Sequence, residues 1–319
     1  MNEMLRADEK KINWYPGHMA KARRLLVDQL GRVDVVVELC DARIPRASRN
    51  PDLNDLVKGK KRILVLGKAD LADEKETRAW LSYFRSQGLS CMSFDSVRGR
   101  AKDVVPRIER EAKEAVERLA ARGVKKTVRV MIVGVPNVGK STFTNKLNGS
   151  AIARTGDRPG VTRSNQWVRI TPYLELLDTP GLLWPKIENQ QDARALAFVG
   201  TINDNIMDYQ MLAIQLLERL MEVKKDAAIA RFRLKNPDLR GLDLLEEACR
   251  GRGWLMPGGI ADIDRGSTVI LDEFRAGKLG RLTLQKAPEK ALEKKESPKT
   301  EEKRHEEGLE CPADGNLGD

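Results

Sequence analysis

The feature that most constrains this sequence is a glycine-rich loop, GVPNVGKS, at residues 134–141, directly after an apolar run at residues 128–133. The pattern G-x-x-x-x-G-K-S is typical of a strand that turns sharply into a helix, with the backbone N–H groups of the loop surrounding phosphate groups. In such a loop the lysine reaches the β- and γ-phosphate oxygens, and the serine hydroxyl binds Mg²⁺. The sequence therefore predicts a phosphate site at Asn137, Val138, Gly139, Lys140, Ser141 and Thr142.

Short apolar runs alternate with helix-forming segments before and after this loop. The runs stand at residues 33–40, 62–67, 89–95, 128–134, 166–170 and 173–178. Continuous apolar strands that alternate with helices are typical of a parallel sheet covered on both faces. Sheets of this kind bind ligands at the carboxyl ends of their strands. We therefore predict an α/β fold with a doubly wound, mostly parallel sheet and a ligand site at that edge.

A second motif, GKAD at residues 67–70, precedes the phosphate loop. In most GTPases the base-binding motif Asn-Lys-x-Asp follows the phosphate loop, so the inverted order predicts a circularly permuted P-loop GTPase domain that binds GTP and GDP. Asp70 is expected to accept hydrogen bonds from the N1–H and amino groups of guanine, which adenine cannot supply. The stem of Lys68 is expected to cover the face of the base.

Position 67 departs from the usual base-binding motif, because Gly67 stands where asparagine is expected, while Ala69 fills the variable position. Losing one neutral hydrogen bond predicts roughly tenfold weaker nucleotide binding with the guanine preference retained. Asp95 and Ser96 follow another apolar run, and they indicate either a second base-binding loop or an ordinary turn.

The sequence DTPG at residues 178–181 ends the last apolar run. Asp178 is expected to hold Mg²⁺ through a water molecule, and the N–H of Gly181 is expected to sense the γ-phosphate. Thr162 lies between the phosphate loop and DTPG, where a switch threonine closes over Mg²⁺ and the γ-phosphate. Leu182 follows DTPG, where Ras-like GTPases place a glutamine that orients the attacking water, so we expect slow unassisted hydrolysis.

Composition divides the 319 residues into four parts. Residues 1–11 form a flexible leader and residues 12–204 the GTPase domain. A helical pattern spans residues 104–122 of the GTPase domain. Residues 205–285 are predicted to form a small all-α C-terminal domain, with helical patterns at residues 207–223, 242–254 and 267–280. Residues 286–319 form a charged tail that is poor in aromatic residues and predicted to be disordered. The sequence contains no run of about 20 apolar residues that spans a membrane. The four scattered cysteines indicate free thiols and a cytoplasmic protein, with metal binding by cysteine disfavoured.

The chain has a net charge of +10, and its excess of basic residues lies before the acidic tail. A basic excess favours a polyanionic partner, nucleic acid first and a membrane surface second, although solubility alone explains it as well. The basic clusters are Lys21/Arg23/Arg24, Arg43/Arg46/Arg49, Lys58/Lys60/Lys61/Arg62, Lys125/Lys126 and, in the helical domain, Arg231, Arg233, Lys235, Arg240, Arg250, Arg252, Arg275, Lys278 and Arg281.

Taken together, the motifs resemble the RbgA/YlqF family of circularly permuted GTPases, ribosome biogenesis GTPase A. They are WYPGHMAKA (14–22), DARIP (41–45), PNVGKST (136–142), TGDRPGVTR (155–163), LLDTPGLLWP (176–185) and FRAGKLGRLTL (274–284). The resemblance implies a GTPase that acts in late assembly of the large ribosomal subunit and binds ribosomal RNA partly through its helical domain. It also implies that Asn137 helps to hold K⁺ and that His18 acts on the catalytic water, although packing or RNA contact explains His18 equally well.

Two other functions remain open at this point. One is a GTP sensor that binds RNA and hydrolyses GTP very slowly or not at all. The other is a P-loop kinase or ATPase that acts on a small molecule, which the pair Lys68 and Asp70 disfavours. Permutation places DTPG shortly before the helical domain, so a nucleotide-dependent shift at Thr162 and Gly181 is expected to reach that domain directly.

Overall fold

The computed structural model describes residues 17–123, 125–149, 167–179, 181, 187–202 and 208–288, without the side chains of residues 17–22, 25 and 178. The elements of the described part are α1 (Gly17–Leu30), β1 (Val35–Asp41), α2 (Leu53–Leu56), β2 (Lys61–Gly67), α3 (Glu74–Ser86), β3 (Ser90–Ser93), α4 (Ala101–Ala120), β4 (Val128–Val133), α5 (Lys140–Asn148), β5 (Trp167–Thr171), β6 (Leu174–Asp178), α6 (Gln190–Phe198), α7 (Tyr209–Val223), α8 (Lys225–Phe232), α9 (Gly241–Arg252) and α10 (Ile263–Arg275). The predicted leader and residues 289–319 of the tail lie outside this description.

The six strands form one sheet in the order β3-β2-β1-β4-β6-β5. All neighbouring strands are parallel except β5, which runs antiparallel to β6 at the edge. Strand β1 is buried along its whole length, as expected of a central parallel strand. It lies between β2, which ends in GKAD, and β4, which leads into the phosphate loop. The predicted doubly wound, mostly parallel sheet is therefore confirmed.

Alternation along the strands sends side chains to two helical layers. Val35, Val37 and Leu39 of β1 belong to a core that also contains α4 and α5. Val36 points to the opposite face, where it packs with Leu26 and Leu30 of α1. Cys40 packs on that same face with the aromatic side chains of α3. Helices thus cover both faces of the sheet, and a ligand is expected at the carboxyl edge of its strands.

The helices α7–α10 bury one shared apolar core, to which α6 also contributes. Helix α7 begins where the Asp208 side chain accepts a hydrogen bond from Met211 N, and α10 begins likewise where Asp262 accepts from Arg265 N. The core of this helical region is continuous with one face of the sheet through the buried side chains of α6. The domain boundary near residue 204 stays a prediction, because residues 203–207 lie outside the described part.

Two helices of this region differ from the sequence prediction. Helix α8 has eight residues and a mixed, partly charged sequence, so its periodicity is too short to stand out. The third helix predicted in this region extends to residue 280, but α10 ends at Arg275. Gly277 and Gly280 adopt φ values of 73° and 78°, which continue no right-handed helix. These turns redirect the chain toward the sheet.

Residues 281–287, which we call the return segment, lie against the edge of the sheet that carries GKAD. Leu282 N donates to Leu71 O at 3.0 Å, and Leu284 N donates to Arg43 O at 2.8 Å. The indole Nε1 of Trp80 donates to Gln285 O at 2.9 Å. The end of the helical region is therefore hydrogen-bonded to the sheet region that comes first in the chain.

No helix in the part of the chain described here has both the length and the apolar character that a bilayer span needs. Cys40, Cys91 and Cys249 are buried free thiols, and Cys311 lies outside the described residues.

Candidate nucleotide-binding site

The glycine-rich loop has the backbone that its sequence predicts. It connects β4 to α5 and passes through two left-handed residues, Asn137 with φ 58° and Gly139 with φ 101°. A Cβ at Gly134 would overlap the carbonyl oxygen of Leu39, so only glycine fits where the loop leaves the strand. We call residues 134–141 the P-loop. Its curvature and the N-terminus of α5 form a concave surface suited to phosphate groups.

Lys140 and Ser141 stand at the first turn of α5. Lys140 is 7% exposed, and its Nζ donates to the carbonyl oxygens of Gly134 at 3.2 Å and Val135 at 2.9 Å. The ammonium group is therefore held inside the curve of the loop, where it can neutralise phosphate charge. The Ser141 side chain is half-buried beside it, at the position of an Mg²⁺ ligand.

The base-binding motif, which we call the base loop (residues 67–70), contacts both the P-loop and the 95–96 turn. Lys68 has a left-handed φ of 52°, and its Nζ donates to Asn137 O at 2.7 Å. Ser96 N donates to Asp70 Oδ1 at 2.7 Å, and Ser96 Oγ accepts from Lys68 N at 3.1 Å. Asp95 instead accepts from the backbone N–H groups of residues 97 and 98, which fits the turn alternative for this residue.

Asp41 entered the sequence prediction only through the family motif DARIP, and Arg43 only through that motif and a basic cluster. Asp41 is the last residue of β1, 1% exposed, and its Oδ2 lies 2.8 Å from Arg43 Nη2 and 3.3 Å from Lys68 Nζ. Burial raises the pKa of the Asp41 carboxyl, but the charges of Arg43 and Lys68 and the Arg43 hydrogen bonds outweigh it and hold that pKa well below its usual range. Burial lowers the pKa of Lys68, against the opposing effect of Asp41. An aspartate directly after the apolar run at residues 33–40 was the available signal.

The P-loop also rests on the segment that follows α6. Asn137 Nδ2 donates to Gly200 O at 2.6 Å, and Thr201 Oγ1 donates to Pro136 O at 3.1 Å. Because the Gly200 carbonyl oxygen can only accept hydrogen bonds, the amide nitrogen of Asn137 must face it. The other amide atom of Asn137, Oδ1, then points away from Gly200 O. The amide oxygen Oδ1 is thus the Asn137 atom that would serve the expected K⁺ role.

The DTPG motif begins beneath the P-loop. Strand β6 ends at Asp178, whose backbone pairs with Ile132 of β4, and Thr179 Oγ1 donates to Ile132 O at 2.6 Å. Gly181 lies against Pro136, so closely that a Cβ on Gly181 would stand 2.7 Å from Pro136 Cα. The backbone of this motif is therefore next to the phosphate end of the site.

The contacts above do not place Thr162 or the side chains of His18 and Asp178, which were predicted as site residues. Thr162 lies outside the described residues, as does Leu182. His18 lies in α1, but its side chain is outside the description, as is that of Asp178. Their roles stay predictions.

The described residues fit a guanine nucleotide with Mg²⁺. Lys140, the start of α5 and the glycine cradle at Gly134 suit the phosphates, while Lys68 and Asp70 stand one β-strand away from β4 across β1. Mg²⁺, when bound, neutralises charge on the β- and γ-phosphates. Ser141 is the described residue whose oxygen suits that ion, with the end of β6 alongside.

Among the basic residues that the sequence suggested as RNA contacts, some are engaged in contacts within the protein. Arg43 was wrongly included, because it is 1% exposed and its guanidinium group is bound to Asp41. The guanidinium groups of Arg275 and Arg281 donate to backbone carbonyl oxygens of the sheet region and of α6. All three arginines thus hold internal contacts, although Arg281 is also exposed to solvent.

A cleft of about 470 Å³ in the helical region is lined by basic residues. Four basic residues line it, namely Arg231, Arg233, Arg252 and Lys278. Glu273 binds Arg231 at 2.5 Å and Arg252 at 3.2 Å. Arg233 and Lys278 are exposed, and neither side chain makes an ion pair with any other described residue. The cleft therefore presents two cations to solvent.

Comparison with known proteins identifies relatives over most of the chain. A family profile described as 50S ribosome-binding GTPase matches residues 129–235. Ribosome biogenesis GTPase A of Bacillus cereus is 40% identical over 293 residues, which cover 91% of this chain and 99% of that protein. The sequence similarity thus extends through the sheet and the helical region alike.

Solved structures show the same similarity in three dimensions. The GDP-bound structure of YlqF is 29% identical, matches with a TM-score of 0.61, and covers 82% of this chain and 99% of its own. The GNP-bound YlqF of Thermotoga maritima, also 29% identical, matches with a TM-score of 0.59 over 84% of this chain and 98% of its own. The fold described above is thus shared with proteins solved with nucleotides bound.

Proposed function

Because this chain belongs to the ribosome biogenesis GTPase A family, we propose that it hydrolyses GTP on a precursor of the large ribosomal subunit, and that hydrolysis releases or remodels the complex. The family resemblance predicted from the sequence motifs is confirmed by these relatives. The chain is a GTPase of ribosome assembly. The precursor, the ribosomal RNA contact, the bound K⁺ and action in the cytoplasm are our inferences.

The observation that carries this proposal is the meeting of the base loop with the P-loop. Lys68 reaches from the base loop to Asn137 O of the P-loop, and Asp70 is fixed by Ser96. A fixed carboxylate that accepts from the N1–H and amino groups of guanine distinguishes guanine from adenine, which lacks both donors. This disfavours the alternative of a small-molecule kinase or ATPase.

Hydrolysis is expected to need assistance from the ribosome. Leu182 cannot orient an attacking water as a glutamine does, so catalysis must come from other groups. We propose that K⁺ near Asn137 Oδ1 offsets the charge that develops on the phosphates, and that Thr162 and the Gly181 N–H enclose the γ-phosphate. We propose His18 as the group that acts on the attacking water.

We propose the cleft in the helical region as a contact for the RNA backbone. Arg233 and Lys278 have the exposure and unpaired charge that phosphate binding needs, and Arg231 and Arg252 lie beside them with Glu273. Phosphate contacts give affinity without reading sequence. The cleft therefore supports binding of a ribosomal RNA backbone rather than recognition of particular bases.

Replacing both Arg233 and Lys278 with alanine should weaken ribosomal RNA binding at least tenfold at low salt, because two phosphate contacts are lost. The slope of log affinity against log salt concentration should become shallower by about 1.4 to 1.8. Titration of large-subunit RNA at several KCl concentrations measures both quantities. The matched control is the double variant Lys102→Ala/Arg110→Ala, which removes two exposed cations of α4. Equal losses in both double variants would show that only net charge matters.

The proposed function is tested by the GTPase rate with and without large ribosomal subunits, in K⁺ and in Na⁺. We expect unassisted turnover in the range of unaided GTPases, about 10⁻⁴ to 10⁻² s⁻¹, and a marked increase only when subunits and K⁺ are both present. Equal rates in the two salts would remove the K⁺ proposal. If subunits bind in a nucleotide-dependent way without raising turnover, the chain is the RNA-binding sensor instead.

A further inference from the structure

Asp41 lies between the two halves of the nucleotide site because of where β1 lies in the sheet. Strand β1 pairs with β2 on one side and β4 on the other. The last residue of β1, Asp41, pairs in register with Gly67, the first residue of the base loop. Its carboxylate therefore stands at the carboxyl edge of the sheet, beside the base loop.

The Asp41 carboxylate is shared by two cations. The Arg43 guanidinium donates to it from Nε to Oδ1 at 3.0 Å and from Nη2 to Oδ2 at 2.8 Å, and the Arg43 backbone N–H donates to Oδ1 at 3.0 Å. Lys68 Nζ approaches Oδ2 at 3.3 Å and also donates to Asn137 O at 2.7 Å. Lys68 thus joins the base loop to the P-loop while Asp41 fixes its ammonium group. Gly67 offers no side chain for this purpose.

Arg43 in turn ties Asp41 to the end of α10. Its Nη1 donates to the carbonyl oxygens of Phe274 and Arg275, both at 3.3 Å. The guanidinium carbon lies 5.1 Å from the centre of the Phe274 ring. A cation at the last carbonyls of a helix is favourable, and here it is buried as well. Arg43 therefore couples the end of β1 to the helical region.

The same turn of α10 supports the P-loop by a separate route. Arg275 donates from Nε to Phe198 O at 3.1 Å and from Nη2 to Ala197 O at 3.0 Å. These carbonyls end α6, and Gly200 just beyond them accepts the hydrogen bond from Asn137. Both the base loop and the P-loop consequently rest on residues 274–275.

We propose that Asp41 and Arg43 are positioning residues for guanine-nucleotide binding: Asp41 holds Lys68 between the base loop and the P-loop, and Arg43 anchors Asp41 to the end of α10. The inference rests on the proposed function, since it assumes that the base loop and P-loop bind a guanine nucleotide. It follows that nucleotide binding and the packing of residues 274–275 favour one another, because such coupling is reciprocal.

The dissociation rate of a fluorescent GDP, N-methylanthraniloyl-GDP, separates this role from a purely structural one. That rate is measured only on folded, loaded protein, so loss of stability alone leaves it unchanged. We expect Arg43→Gln and Lys68→Met each to accelerate dissociation about tenfold or more. If Arg43 acts through Lys68, the double variant should dissociate no faster than about the faster single variant.

The matched control is Glu38→Gln, which breaks the buried ion pairs of Glu38 with Arg49 and Arg62 and touches neither Asp41 nor Lys68. It should lower the unfolding temperature and leave dissociation of the fluorescent GDP unchanged. Should Arg43→Gln fail to fold, Phe274→Leu removes the ring beneath Arg43, and we expect it to accelerate dissociation about threefold.

Amide hydrogen exchange of the wild-type protein provides the reciprocal measurement. GDP should slow exchange in residues 276–282 as well as in the base loop. Wild-type protein that does not bind the fluorescent GDP would contradict the proposed function itself. Wild-type binding with unchanged dissociation in the Arg43 or Phe274 variant, or with unchanged exchange at residues 276–282, would overturn this inference alone.

Discussion

Replacing Asp70 with asparagine should abolish the preference for GTP over ATP, with a loss of GTP affinity of about 10²-fold or more, because two hydrogen bonds to a charged acceptor disappear. Ser96 N already donates to Asp70 Oδ1. In the variant that N–H keeps the amide oxygen as its acceptor, so the amide nitrogen faces the donors of guanine. Xanthine has an acceptor in place of the guanine amino group and should bind the variant better than guanine does.

Competition of GTP, ATP and XTP against a fluorescent GDP measures the change. Asp95→Asn is the matched control, because Asp95 accepts from two backbone N–H groups of its own turn and an asparagine oxygen can do the same. The control should keep the guanine preference. A wild-type preference for GTP over ATP in Asp70→Asn would remove Asp70 from the base site.

Replacing Gly181 with alanine should lower subunit-stimulated GTP turnover by about 10²- to 10³-fold, as loss of one oriented backbone donor does elsewhere. The new Cβ would stand 2.7 Å from Pro136 Cα and 2.8 Å from Pro136 N. Both are backbone atoms of the P-loop, so the DTPG backbone must move away from the phosphates. GDP has no γ-phosphate, and its affinity should fall much less than that of GTP.

Single-turnover hydrolysis and the affinities for GDP and a non-hydrolysable GTP analogue measure these effects. Gly31→Ala is the matched control, because a Cβ at Gly31 meets no atom within 4 Å. Turnover of the control should equal that of the wild type. Normal turnover in Gly181→Ala would mean that the N–H of residue 181 takes no part in hydrolysis.

Local patterns accounted for most of the sheet. Its central strands β1 and β4 are apolar runs rich in β-branched residues, and the P-loop is specified by a spacing of glycines, lysine and serine that few other structures need. The helices with a clear apolar stripe, such as α4 and α7, were found for the same reason. Helix α8 was missed because eight residues give too little periodicity.

Long-range contacts were beyond what local pattern predicts. Arg43 reads as a surface cation in a basic cluster, and only the approach of α10 from more than 200 positions away makes it a buried partner of Asp41. Ser96 was a possible base contact, but its hydrogen bond to Asp70 depends on the pairing of β2 with β3. The DTPG motif suggested a direct route from the nucleotide to the helical region. The described contacts that reach the helical region start instead from the base loop and the P-loop.

The return segment makes completion of the base loop a late event in biosynthesis. Thr283 Oγ1 accepts a hydrogen bond from Asp73 N across a separation of 210 positions. Chains emerge from the ribosome amino end first, and folding follows that order. The sheet strands can therefore pair early, but the support beside the base loop arrives only with residues 281–287. A growing chain thus acquires its complete nucleotide site only after the helical region has been made, so no shorter intermediate of translation carries the whole switch.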